Sequence, residues 1–107
     1  MTGEVRIRAL VGAAQTTELQ VFGVSFEPGA RNLLHTHSFD QVLCITAGEG
    51  IVASGGEEVV VRAGDIVVVP AGEEHWHGAT AATAMTHLAF GVPGTTEVEG
   101  RPYVPPA

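Results

Sequence analysis

Residues 57–72, EEVVVRAGDIVVVPAG, contain two short valine-rich runs on either side of a break at Gly64-Asp65. Valine is β-branched and favours strands, and each run is shorter than an ordinary helix. A glycine beside an aspartate is typical of a tight turn. The stretch therefore predicts two antiparallel strands, at 57–62 and 66–70, joined by a turn.

The valines of this stretch fall on both faces of each predicted strand. A strand with two apolar faces is covered on both sides, so one face fills a barrel and the other packs on a second sheet or subunit. In a chain of 107 residues, two covered faces favour a homodimer or a higher homo-oligomer. We expect the N-terminal strands to contribute to that dimer.

The rest of the chain repeats the same alternation of short apolar runs with Gly, Pro and Asn. No segment keeps apolar residues at helical spacing over three turns. The prediction is an all-β domain of antiparallel hairpins. Further strands are predicted at 4–10, 19–27, 32–37, 41–47, 50–54, 74–79 and 83–91, and further turns at 28–29, 48–50, 55–56 and 71–72.

The charge balance limits the classes of partner. Five Lys and Arg against twelve Asp and Glu give a net charge of −7, which disfavours nucleic acid and anionic membranes. No apolar run approaches the roughly 18 residues of a membrane span. The single Cys44, with no secretory signal before it, is typical of a reducing compartment. We expect a cytoplasmic protein that takes a small-molecule substrate.

The last part of the chain differs from the rest. Residues 92–107, VPGTTEVEGRPYVPPA, hold four of the six prolines and show little periodicity. We predict a single barrel domain at 1–91 and a proline-rich C-terminal tail at 92–107. Within the tail, Tyr103 and Val104 are candidates for docking on a partner.

Two His-x-His pairs are the clearest chemical feature of the sequence. Residues i and i+2 of a strand face the same way, so His35 projects with His37, and His75 with His77. Two facing strands of this kind bring several imidazoles to one point. Imidazole is the commonest neutral ligand of Zn, Mn, Fe, Ni and Cu. The two pairs therefore predict a metal site.

The spacing around these pairs is more specific than their number. The first runs Gly29, His35, His37, Gln41, Gly48, and the second runs Gly64, Pro70, Gly72, His75. This spacing resembles both signature motifs of the cupin superfamily over about half of the chain. Gln41 stands where many cupins have glutamate, and Ala79 stands where the second motif often ends in asparagine.

Those departures, with ITAGEG, PAGEEHWHGAT and TAMTHLAF, are similar to small single-domain bacterial cupins whose metal is held by three histidines and a glutamine. That group includes manganese-dependent hydroxynitrile lyases, which cleave cyanohydrins. The resemblance implies a double-stranded β-helix barrel of the jelly-roll kind. It also implies that a divalent metal, manganese before Fe, Zn, Ni or Co, is bound by His35, His37, Gln41 and His75.

The same resemblance implies that His77 and His87 line the pocket beside the metal. Both are candidate catalytic residues, because imidazole exchanges protons near neutral pH. Strand alternation puts Met85, His87 and Ala89 on one face, and we expect His87 to be the general base. An amide at Gln41 supplies an oxygen ligand without a negative charge, which leaves a divalent ion its full charge as a Lewis acid.

Other interpretations of these residues remain open from the sequence. The histidines can be satisfied by local hydrogen bonds, and Gln41 can be an ordinary polar strand residue. The metal site also suits a dioxygenase with Fe or Mn, or a non-catalytic module that binds a small molecule. Bulky side chains are expected in the core or at a dimer interface: Phe39, Trp76, Met85 and Phe90.

Overall fold

The computed structural model describes residues 3–12, 15–16 and 18–102. Within these ranges there is no helix, and therefore none that could cross a bilayer. The predicted all-β class is confirmed. Tyr103 and Val104 lie outside the described residues. The strands are β1 (Val5–Val11), β2 (Gln20–Phe26), β3 (His35–His37), β4 (Gln41–Ser54), β5 (Glu57–Arg62), β6 (Ile66–Val69), β7 (His75–Ala79), β8 (Met85–Gly91), β9 (Thr96–Val98) and β10 (Arg101–Pro102).

The strands form a curled antiparallel sheet whose two halves share one long strand. The first half of β4 pairs with β8 and β6, and β8 leads on through β2 to β1. The second half of β4 pairs with β5 and β7, and β7 leads on through β3 to β9 and β10. The two halves face each other as the walls of a jelly-roll barrel.

The predicted turn at 48–50 is wrong, because β4 runs unbroken for 14 residues through this point. Its pairing with β8 shifts register between Ile45 and Ala47, and Gly48 has a φ of 77°. A β-carbon on Gly48 would collide with the carbonyl oxygen of Ala84. The glycine therefore bends the strand from one wall into the other, since neighbouring strands pair with β4 on both sides of the bend.

Part of the predicted tail belongs to the sheet. Thr96–Val98 forms β9 and pairs with β3, with Thr96 directly opposite His37. The sequence analysis predicted no strand in this segment. Its three residues are partly polar and show no apolar alternation, so the strand is formed by pairing with β3 rather than by its own sequence pattern.

The barrel core lies between the two walls. Phe26, Leu43, Ile45 and Met85 are at most 1% exposed, and they project inward from β2, β4 and β8. Burying each such side chain stabilises the fold by roughly 1.5–3 kcal/mol. The histidines lie in the same interior, so apolar core side chains surround them.

Candidate metal centre

All five histidines of the chain meet inside the barrel. His35 and His75 are direct cross-strand partners, and His77 is paired with Val52 one strand away. His87 reaches the cluster from the opposite wall. The shortest ring-centroid distances are 4.1 Å between His35 and His75, 4.7 Å between His77 and His87 and 5.0 Å between His35 and His37. The predicted convergence of the two His-x-His pairs is thus present in the fold.

The closest group of nitrogens differs from the predicted ligand set. One ring nitrogen from each of His35, His75 and His77 lies within 4.8 Å of the others. His37 is outside this nitrogen group, although its ring centroid lies 5.0 Å from that of His35 and 5.3 Å from that of His75, against 5.3 Å and 5.6 Å for His77. The structure therefore brings His77 nearer to His35 and His75 than the sequence analysis expected. Which histidine completes the site depends on what else each ring contacts.

His35 and His75 are oriented by their own local backbone. The Nδ1–H of His35 donates to the carbonyl of Leu33 at 2.7 Å, and the Nδ1–H of His75 donates to that of Glu73 at 3.0 Å. A carbonyl oxygen only accepts, so the hydrogen of each neutral ring is on Nδ1 and the lone pair is on Nε2. Both rings thus present an unprotonated nitrogen to the barrel interior, as metal-binding histidines do.

His37 is held by a residue that is distant in the sequence. Its Nδ1 lies 2.8 Å from the hydroxyl oxygen of Thr96 on β9, and its ring stacks on Phe39 at 5.0 Å between centroids. Its Nε2 is buried and has no hydrogen-bond partner among the described residues. Leaving a buried ring nitrogen unpaired costs about 1–3 kcal/mol. A ligand to that nitrogen removes the cost.

Gln41, the predicted fourth ligand, lies beside His75. Its Oε1 lies 3.2 Å from Nε2 of His75, and Gln41 is 8% exposed. Because His75 carries its hydrogen on Nδ1, both facing atoms are acceptors, which do not hydrogen-bond to each other and would both be attracted to a cation placed between them. The free Nε2 of His37 and these facing acceptors are donor atoms of the kind that divalent metal ions bind, so the chemistry of the cluster suits a metal site.

His77 and His87 form a second unit of the cluster. The Nε2 of His87 lies 3.0 Å from Nδ1 of His77, so one of the two rings donates to the other. Phe26 packs on both rings, at 5.8 Å and 5.6 Å between centroids. His77 is 3% exposed and His87 is fully buried. The pair therefore occupies an apolar, largely dry part of the barrel.

Burial lowers the pKa of every one of these imidazoles, because a charged ring loses its hydration inside the barrel. The pKa falls to about 3 for His35, to about 4 for His37 and to about 4 for His87. It is also lowered for His75 and well lowered for His77, with desolvation the largest cause. All five rings are neutral at pH 7, the form that binds metals or accepts a proton.

Two residues at the centre were missed by the sequence analysis. Thr96 contacts His37 across 59 residues, and Asn32 contacts His77 across 45. Neither belongs to a motif, and each is close to its histidine only because β9 and the loop before β3 fold against the site. No local sequence pattern could have indicated these two partners, because both contacts depend on how distant segments pair in the fold.

A curled antiparallel barrel of this kind, with histidines buried between its facing strands, belongs to the jelly-roll class of folds. Within that class, the chain belongs to the cupin family, since the family model described as "Cupin domain" matches residues 22–91. The structural likeness agrees: a cupin-like protein from Thermotoga maritima superposes with a TM-score of 0.86 at 33% identity, over 94% of this chain and 79% of that one.

Two further relatives add to this comparison. The chain is 47% identical over 90 residues to an (R)-mandelonitrile lyase from Granulicella tundricola, covering 83% of this chain and 69% of the relative. A cupin 2 conserved barrel domain protein from Rhodopseudomonas palustris superposes with a TM-score of 0.78, over 98% of this chain and 69% of that one. At 20% identity, this last likeness shows the fold alone.

Proposed function

We propose that the protein is a metal-dependent lyase that cleaves a cyanohydrin to a carbonyl compound and cyanide. The observation that carries the proposal is the contact between Nε2 of His75 and Oε1 of Gln41, two acceptors at 3.2 Å that would both bind a cation placed between them. The relative named as an (R)-mandelonitrile lyase supports this choice of reaction.

The metal ligands in this proposal are His35, His37, Gln41 and His75. His37 is preferred to His77 because its Nε2 has no partner among the described residues, whereas the ring nitrogens of His77 contact His87 and Asn32. When bound, a divalent ion, manganese in our proposal, supplies Lewis acidity toward the substrate oxygen. None of the four groups carries a negative charge, so the protein does not neutralise the ion.

The His77–His87 pair is the proposed acceptor of the substrate hydroxyl proton. His77 lies next to His35 and His75, whereas His87 lies behind it and contacts it through Nε2. In place of His87, which the sequence analysis expected to be the general base, we therefore propose that His77 lies beside the substrate, with His87 as the second member of the pair. Nε2 of the neutral His77 ring, which does not contact His87, accepts the hydroxyl proton. The carbon–cyanide bond then breaks with its electrons leaving on cyanide as the carbonyl double bond forms, and the pair returns the proton to cyanide.

The test is cyanide release from mandelonitrile by the manganese-loaded protein under anaerobic conditions. We expect cyanide and benzaldehyde in equal amounts, with loss of both in His35→Ala, which also loses the metal. His77→Ala should keep the metal and lose turnover, which separates proton handling from metal binding. Turnover that required dioxygen would replace the proposal with an oxygenase. Binding of mandelonitrile with no turnover would replace it with a non-catalytic binding module.

A further inference from the structure

Asn32 contacts His77 in three ways: through two hydrogen bonds to its backbone and through its ring. Its backbone N–H donates to the carbonyl of His77 at 3.1 Å, and the backbone N–H of His77 donates to its Oδ1 at 2.9 Å. Its Nδ2 lies 3.3 Å from both ring nitrogens of His77. One residue of the loop before β3 thus contacts both the backbone and the ring of a histidine on β7.

These contacts fix which way the Asn32 amide faces. Its Oδ1 is occupied by a backbone N–H that can only donate, so the Nδ2 group must point to the ring. Because Nδ2 is equally far from both ring nitrogens, it lies over the face of the ring, where it fixes the orientation of the ring without occupying either lone pair. On the other side, Nε2 of His87 contacts Nδ1 of the same ring. The ring of His77 is held between two partners of the chain.

This arrangement matters because His77 is close enough to compete for the metal. Its nitrogen lies within 4.8 Å of those of His35 and His75, whereas His37 is outside that group. Distance alone would make His77 a ligand. The partners of its ring, rather than its distance from the other histidines, keep it available for another task.

We propose that Asn32 is a positioning residue that holds His77 with His87 and thereby excludes it from the metal's ligand set. The inference rests on the proposed function, since His77 needs a separate role only if the neighbouring histidines hold a metal. Without the Asn32 side chain, the His77 ring is free to turn toward His35 and His75. A fourth imidazole then competes with His37 and Gln41 for the ion.

The experiment uses Co²⁺ as a spectroscopic probe in the full chain, with no substrate present. We expect wild type and His77→Ala to share one visible absorption spectrum, because His77 is not a ligand. Asn32→Leu, which keeps the bulk of the side chain, should shift that spectrum, and Asn32→Leu with His77→Ala should restore it. An Asn32→Leu spectrum equal to that of wild type would overturn the inference, as would a shift that survives removal of His77.

A second variant and a second measurement cover the case in which Asn32→Leu fails to fold. Asn32→Asp keeps the acceptor for the His77 backbone and loses the Nδ2 donor, so it should shift the spectrum in the same direction. In the metal-free protein, ¹⁵N signals of the His77 ring should change in both variants while those of His35 stay in place. Unchanged His77 signals would contradict the inference. Neither readout uses turnover, so failure of cyanohydrin cleavage alone would leave this result interpretable.

Discussion

Acidification of the metal-free protein should destabilise it through His87. The folded-state pKa of His87 is about 4 against an ordinary value of 6.5, because burial penalises the charged ring. The unfolded chain therefore binds more protons than the folded chain between these two values. The contribution of a neutral His87 is fully present above pH 6.5 and is lost as the pH falls toward 4. At pH 5 the loss is 1.5 pH units at 1.36 kcal/mol each, or about 2 kcal/mol.

The assay is urea unfolding in the presence of EDTA at pH 7.5, 6.5, 5.5 and 5.0. His87→Gln is the matched control, since glutamine does not titrate and keeps polar atoms near His77. Between pH 6 and 5, the free energy of unfolding should fall more steeply in wild type than in His87→Gln, by up to about 1.4 kcal/mol per pH unit. Equal slopes in the two proteins would show that His87 is not held neutral by the fold, and the account of its desolvation would be refuted.

Three further predictions concern separate parts of the molecule. Thr96→Val should weaken metal affinity about 10–100-fold in a chelator competition, because Nδ1 of the His37 ring loses the Thr96 hydroxyl, and Thr96→Ser should restore most of the affinity. Equal affinity in all three proteins would show that Thr96 has no role in the site. Gln41→Glu should keep its metal, as measured by mass spectrometry, and should release cyanide about tenfold more slowly, because a carboxylate lowers the net positive charge of the metal site. Undiminished cyanide release would contradict the Lewis-acid argument. Light scattering should give twice the mass of one chain for the wild type and the mass of a monomer for Val68→Glu. The reason is that Val68 and Ile66 are outward-facing apolar residues, 59% and 66% exposed respectively. A monomeric wild type would contradict the dimer prediction.

Much of the fold could be predicted from the sequence, because the relevant signals are local. Valine-rich runs and glycine turns indicate β5 and β6, and the His-x-His pairs indicate which faces of β3 and β7 point inward. Gly48 was misjudged because a bend within a paired strand and a chain reversal use the same residue types. Only the neighbouring strands on both sides of β4 decide between the two.

The sequence predicts which histidines meet at the candidate site, but it does not predict which of their ring nitrogens already have a partner. Spacing on a strand indicates that His35, His37, His75 and His77 face one interior, since alternation alone sets direction. It does not indicate which ring nitrogens are already occupied. That order depends on Asn32 and Thr96, and both reach the histidines through contacts that span 45 residues or more.

The late position of β9 in the chain has a consequence for biosynthesis. Thr96 emerges from the ribosome 59 residues after His37, an interval of about 3–12 s at roughly 5–20 residues per second. His75, His77 and His87 follow His37 by 38, 40 and 50 residues, so the other histidines are still being added during most of this time. Thr96 follows His87 by nine residues, so the hydroxyl that orients the His37 ring is added only after all five histidines have been synthesised, and a cation that binds earlier meets a His37 ring that Thr96 does not yet hold.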